Sequence, residues 1–173
     1  MSNFSTAIVA DALQATPPLL HTLVGNLPPQ LYTQRPPTGG WCINEVVGHL
    51  IAADRFAFAE RITLMLEQEH PIIPAVNVDQ IAQKRQDHLR PLADLFDELA
   101  VQRQHHAALV RSLRPEQLKR TGHYAKYGDF RVSDFVYEWA YHDYAHVQQI
   151  LDLLKLAVWP YFSPTMQRAL SGS

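Results

Sequence analysis

The stretch Trp139-Ala140-Tyr141-His142-Asp143-Tyr144-Ala145-His146-Val147-Gln148-Gln149-Ile150-Leu151 contains neither glycine nor proline, and its reading decides the rest of the chain. On a helix, residues four apart share a face, with Cβ atoms roughly 5–6 Å apart. His142 and His146 then point the same way, and two neutral imidazoles so placed reach one metal ion. The competing reading is a pair that is solvated or hydrogen-bonded in the core, since an isolated His-x-x-x-His is a weak motif.

Working outward, Ser133-Asp134 reads as a cap followed by a first-turn acid. The periodicity predicts a helix from about Ser133 to Leu156, roughly 36 Å long at ~1.5 Å per residue. Phe135, Val136, Trp139, Ala145, Ile150, Leu153 and Leu154 mark its apolar face. Glu138, His142, His146 and Gln149 form a polar stripe within or beside that face. Buried polar groups need partners, at a cost of about 1–3 kcal/mol when they lack them, and a metal supplies one. Upstream, Arg114 to Phe130 holds Pro115, Gly122 and Gly128 with little periodicity, so it reads as connection without strands. Downstream, Trp159-Pro160-Tyr161-Phe162 is an aromatic tail that packs on the body or meets another subunit, with packing the commoner case, and it leads into a short last helix.

The earlier chain supplies three further long helical patterns and one short one. Thr6 to about Leu27 is apolar at helical spacing, with a kink or a restart capped by Thr16 expected at Pro17-Pro18. Pro28-Pro29 and the Arg35–Gly40 stretch read as loop. Trp41-Cys42-Ile43-Asn44-Glu45 resembles a capping box with a weak cap, opening one long helix from about Ile43 to Glu69. On it Glu45, His49, Ala53, Phe56 and Glu60 advance as one stripe, which sets His49 on an inward face. Asp79 is expected to cap a short helix toward Leu89, and Pro91 to Leu113 to form the third long helix. Adjacent His105 and His106 point about 100° apart and read as a solvated or capping pair. An all-α four-helix bundle follows, as a single domain over residues 1–173.

Composition excludes several functions. With 15 Lys and Arg against 17 Asp and Glu, scattered along the chain, no basic footprint for nucleic acid is expected. One cysteine, Cys42, rules out an internal disulfide and suits a reducing compartment. Without a signal-like N-terminus or an apolar run near the ~20 residues of a membrane span, a cytoplasmic protein making no membrane contact is expected.

Three histidines thus sit on inward stripes of two long helices: His49, His142 and His146. Three nitrogens with one open position is the pattern of a catalytic metal site, whereas structural zinc closes the fourth position with protein. A fourth ligand from His105, His106 or His123 would close it. His21, His70 and His88 are expected to take no part in holding metal. Glu45 and Glu138, one turn from the ligands, are the candidates for orienting the imidazoles. Tyr141, Tyr144 and Arg131 read more readily as ordinary surface or packing residues than as the pocket mouth.

Trp41 to Leu50, the Gly128 turn before the last long helix, and His142-x-x-x-His146 followed by Gln149-Ile150 resemble the DinB/YfiT-like superfamily, from about Thr16 to Leu156. Cys42 stands where that family usually has serine. The resemblance implies an up-down-down-up four-helix bundle, often dimeric, with a divalent metal on His49, His142 and His146. It also implies relatives such as bacillithiol transferases and mycothiol-dependent maleylpyruvate isomerase. The leading expectation is a transferase or isomerase that uses zinc or nickel and a low-molecular-weight thiol against a small electrophile, as a homodimer. The alternatives are a hydrolase using metal-bound water and a non-enzymatic, stress-related metal or small-molecule binding module.

Overall fold

Helix α1 (Thr6–Val24) runs unbroken through Pro17-Pro18 in the computed structural model, which describes residues 4–37 and 39–172. Thr38, inside the stretch read as loop, lies outside the described residues. Neither a restart nor a cap forms at Thr16, because the backbone group that Pro17 leaves unpaired finds a partner elsewhere. Pro17 has no N–H for the Leu13 carbonyl, and Arg103 Nη1 donates to that oxygen at 3.3 Å. The Thr16 hydroxyl instead donates across the bundle to Asp143 Oδ2 at 2.7 Å.

After the single-turn α2 (Gln30–Thr33), the second long helix is a composite of α3 (Ile43–Ala53), a π-helical segment (Asp54–Ala59) and α4 (Glu60–Glu67). The π turn inserts a residue and re-phases the helix. The expected stripe therefore breaks after Ala53: Phe58, Ala59, Ile62 and Met65 turn inward, while Glu60 is exposed. Next comes α5 (Val78–Arg85), capped by the Asn77 side chain rather than by Asp79, and a 3₁₀ turn over Asp87–Leu89. The third long helix is α6 (Leu92–Ser112), followed by α7 (Pro115–Leu118). The segment expected to be connection alone also holds an antiparallel hairpin, β1 (Thr121–Tyr124) with β2 (Gly128–Arg131), in which His123 faces Asp129. Gly128 has φ 89°, a left-handed conformation that favours glycine at the turn. The last long helix, α8 (Val132–Val158), begins with Arg131 N–H donating to Asp134, and α9 (Pro164–Ser171) ends the chain. Ala145, expected on the apolar face of α8, is exposed.

Side-chain pairings give the helix directions. Phe4 meets Tyr137 and Thr16 meets Asp143, so α1 and α8 run together. Asp11 meets Arg111 and His21 meets Phe96, so α6 runs against α1. His49 meets His142 and Asp54 meets Trp139, so the composite helix opposes α8 and parallels α6. The order is up-down-down-up, with the long connection between Glu67 and Leu92 making the parallel step possible.

The core lies in two apolar blocks. One gathers Val9, Leu13, Phe58, Ala107, Val110, Val136 and Trp139, the other Leu20, Val47, Leu50, Leu95, Leu99 and Ile150. Between them along every long helix comes a polar layer: Thr16, Asp54, Arg103 and Asp143, all buried. Arg103 Nε donates to Asp54 Oδ2 at 2.5 Å, Nη2 to Asp143 Oδ1 at 2.7 Å, and Nη1 to Asp143 Oδ2. Trp139 Nε1 donates to the other Asp54 oxygen at 2.7 Å. Burial opposes the charge on Arg103, but its two carboxylates more than offset that and raise its pKa.

A second network pins α5 and the 3₁₀ turn onto α3. The buried Asp87 carboxylate accepts from Arg85 at 2.7 Å and Arg90 at 3.0 Å, and the Asn44 amide donates to the Asp87 and Arg90 carbonyls at 3.2 and 2.9 Å. The fit needs glycine at 48, where an added Cβ would lie 1.9 Å from Asp87 Oδ2.

Two measurements check these contacts. In urea denaturation at neutral pH, Gly48→Ala should lose about 1–3 kcal/mol, the usual cost of overpacking. Arg103→Ala, which strands two buried carboxylates, should lose about 3–5 kcal/mol.

Candidate metal centre

Helix α3 brings His49 inward four residues, about one turn, after Glu45, and α8 presents His142 and His146 one turn apart on the facing side. The three rings meet. His142 Nε2 lies 3.0 Å from His49 Nε2 and 3.2 Å from His146 Nε2. Each Nε2 has one in-plane site, either a hydrogen or a lone pair, so His142 cannot make two good hydrogen bonds at once. Donors on the edges of a tetrahedral sphere with ~2.0–2.1 Å bonds stand about 3.3 Å apart, close to what is observed. A shared cation satisfies the three atoms where hydrogen bonding cannot.

The far side of the His146 ring supports that state. His146 Nδ1 lies 2.7 Å from Gln149 Oε1, which can only accept, so Nδ1 carries the hydrogen and Nε2 the lone pair. His49 Nδ1 lies 3.4 Å from Asp79 Oδ1, which α5 brings over the site. Burial lowers the His49 pKa to about 4 and that of His142 to about 3, and it also lowers that of His146. All three rings are therefore uncharged near neutral pH. Phe58 meets the His142 ring at 5.4 Å, and Trp41 covers His49 at 4.7 Å and His146 at 6.4 Å.

Among the described residues, no fourth His, Cys, Asp or Glu offers an atom within 4.8 Å of all three histidine nitrogens. His105 bonds the Val101 carbonyl, His106 packs on Trp139, and His123 joins Asp129 on the hairpin. His49 and His146 line a cleft of about 450 Å³ with Gly40, Trp41, Asp79 and Gln149. Tyr141, Tyr144 and Arg131 are exposed and lie outside it. Asp79 and Trp41, read from the sequence as a helix cap and as part of a helix start, were not singled out as site residues. Asp79 lies thirty positions from His49, so no spacing rule links them, and the only signal at Trp41 was an aromatic following Gly39-Gly40.

With this geometry in view, the comparisons are consistent. The profile of the DinB superfamily matches residues 12–150. A candidate metal-dependent hydrolase of Oceanobacillus iheyensis is 24% identical over 122 residues, 70% of each chain. The solved structure of YfiT from Bacillus subtilis, described as a metal-dependent hydrolase candidate with an unusual four-helix bundle topology, aligns at TM-score 0.81. It is 19% identical, with 92% of this chain and 91% of that one covered.

The two glutamates read as imidazole partners lie elsewhere. Glu45 accepts from Arg35 Nε at 2.9 Å and from the Cys42 N–H at 3.0 Å, so it caps α3 and does not reach His49. Glu138 is exposed on α8, where Arg61 is the opposing charge. The cause is geometric: one helical turn separates residues along a face but does not aim a carboxylate at a ring nitrogen. The hydrogen bond from Arg35 holds the Glu45 pKa down to about 2 from an ordinary 4.5. A lowered carboxylate pKa contributes stability above the ordinary value and loses it as pH falls toward the folded one. Glu45→Gln should therefore cost about 1 kcal/mol at pH 7. Its stability gap from the parent should close between about pH 4.5 and 2, as read by thermal melts across pH.

Proposed function

Because the chain belongs to the DinB superfamily and turns three uncharged imidazoles onto one point at a cleft, we propose that it is a divalent-metal-dependent enzyme acting on a small electrophile. The observation that carries this reading is the convergence of the His49, His142 and His146 Nε2 atoms at 3.0 and 3.2 Å without a fourth protein ligand beside them among the described residues. Zinc and nickel suit an all-imidazole set. When bound, such an ion supplies Lewis acidity and favours the deprotonated form of a small nucleophile.

The chain's own residues do the rest. Gln149 holds His146 in the tautomer that offers Nε2, and the Asp79 carboxylate lies 3.4 Å from His49 Nδ1. Trp41 gives the cleft a flat apolar wall, and the lining holds no Lys or Arg, so a neutral or cationic substrate with an apolar face fits better than an anion. The nucleophile comes from solution, because the only cysteine, Cys42, is buried and burial pushes its thiol up to about 11. A low-molecular-weight thiol is the first reading, supported by the resemblance to thiol-dependent relatives. Water is the second, supported by the descriptions of the Oceanobacillus protein and YfiT. A homodimer is part of the proposal, the exposed Val158, Tyr161, Met166 and Leu170 near the C-terminus offering apolar surface.

The test is metal content by elemental analysis of purified variants. His49→Ala, His142→Ala and His146→Ala should each retain about one equivalent of metal fewer than the parent, while His21→Ala and His88→Ala should match the parent. Unchanged content in all three triad variants would sink the site. Thiol consumption with an electrophile, run against ester hydrolysis on the same metallated protein, separates the two reactions. If neither rate falls on chelation, the protein is a binding module and the enzyme reading is overturned.

A further inference from the structure

A second group of ligand-type side chains gathers at the hairpin, two from its strands and one from the segment after α4, and lines no part of the cleft. We propose that His70, His123 and Asp129 form a separate, solvent-accessible site for a divalent transition-metal ion. The three offer ligand atoms within 4.8 Å of one another. His123 and Asp129 are directly opposed in the β1–β2 register, and His123 Nδ1 lies 2.8 Å from Asp129 Oδ1. From the other side, His70 Nε2 stands 3.7 Å from the same oxygen. That gap is too long for a hydrogen bond, yet the two separations straddle the roughly 3.3 Å between donors on a ~2.0–2.1 Å coordination sphere. A shift of a few tenths of an ångström in an exposed ring closes the set.

The ligands come from segments already locked together. Ile73 N–H donates to the His123 carbonyl and His123 N–H to the Pro71 carbonyl, both at 2.8 Å, so the chain after α4 lies along β1 like a third strand. Arg120 ties the end of α4 down by donating to the Met65 and Gln68 carbonyls at 2.5 and 2.7 Å. His70 itself adopts φ 46°, a left-handed backbone that residues with side chains rarely take, and its ring reaches the hairpin. Its Nδ1 lies 2.9 Å from Thr121 Oγ1, which can accept the Nδ1 hydrogen and leave the Nε2 lone pair facing Asp129. The sequence reading placed His70 outside any metal site, since it sits beyond the helix end and shares no helical face with another ligand.

Two imidazoles and one carboxylate suit zinc, nickel or copper better than magnesium or calcium, which prefer all-oxygen sets. Each side chain is about half exposed, at 48, 48 and 54%, so water completes the sphere. An ion there would staple the end of α4 to the hairpin that leads directly into α8.

The test is a zinc titration of the untagged full chain by isothermal calorimetry, with bound metal counted after gel filtration. His123→Ala and Asp129→Asn should each bind one equivalent fewer than the parent. The double variant His142→Ala/His146→Ala should keep the equivalent that those substitutions remove, which separates this site from the cleft. Because these side chains are exposed, the single variants should melt with the metal-free parent. If His123→Ala and Asp129→Asn bind as much zinc as the parent, the proposal is overturned.

Discussion

One guanidinium holds the bundle in register. Arg103 reaches from α6 to a backbone carbonyl of α1, to Asp54 in the π segment and to Asp143 on α8, so every long helix contributes to its shell. A buried ion set of this kind adds little net stability beyond what apolar side chains of the same volume would give. What it adds is discrimination. Sliding any helix by one turn, about 5.4 Å, would set an apolar side chain against a charge and leave a carboxylate or guanidinium without partners. The layer lies next to the histidines in sequence on both helices, Asp143 beside His142 and Asp54 five positions after His49. The register it selects is the one that brings the three imidazoles to the same height.

Local rules explain how such a layer is built. Pro17 would break an isolated helix, yet here it frees the carbonyl that Arg103 takes. The π turn costs regular hydrogen bonding, yet it swings Asp54 inward beneath Trp139 while keeping Phe58 and Ile62 in the core. Both irregularities sit at the level of the charged layer. The local departure from helix geometry and the tertiary contact compensate each other.

The four long helices were legible because their apolar residues recur at helical spacing over many turns with few breakers. The three histidines were legible too: each sits on a face whose neighbours are apolar, and a polar group there calls for a partner. Other features left no comparable trace. A π turn changes no composition, and a four-residue strand such as Thr121–Tyr124 is too short for alternation to show. Glu45 was read correctly as the acid of the capping box, but its second reading as an imidazole partner did not follow, because spacing along one helix says nothing about Arg35, which comes from the loop before it. Asp79 and Trp41 join the site through packing of α5 and of the Gly39-Gly40 segment, and such long-range neighbours are not written in local sequence.

The placement of the histidines also bears on the unfolded chain. His49 and His142 are 93 positions apart, so an ion gripping both would act as a cross-link closing a loop of that length. Chain statistics put the length-dependent part of that closure at about 4 kcal/mol, from (3/2)RT ln n. An extended, fluctuating polypeptide would have to supply that entropy loss from its own coordination energy, whereas the folded bundle has already absorbed it through packing. Capture of an ion would thereby be deferred until the helices have assembled, with the bundle serving as template for the site proposed at these histidines.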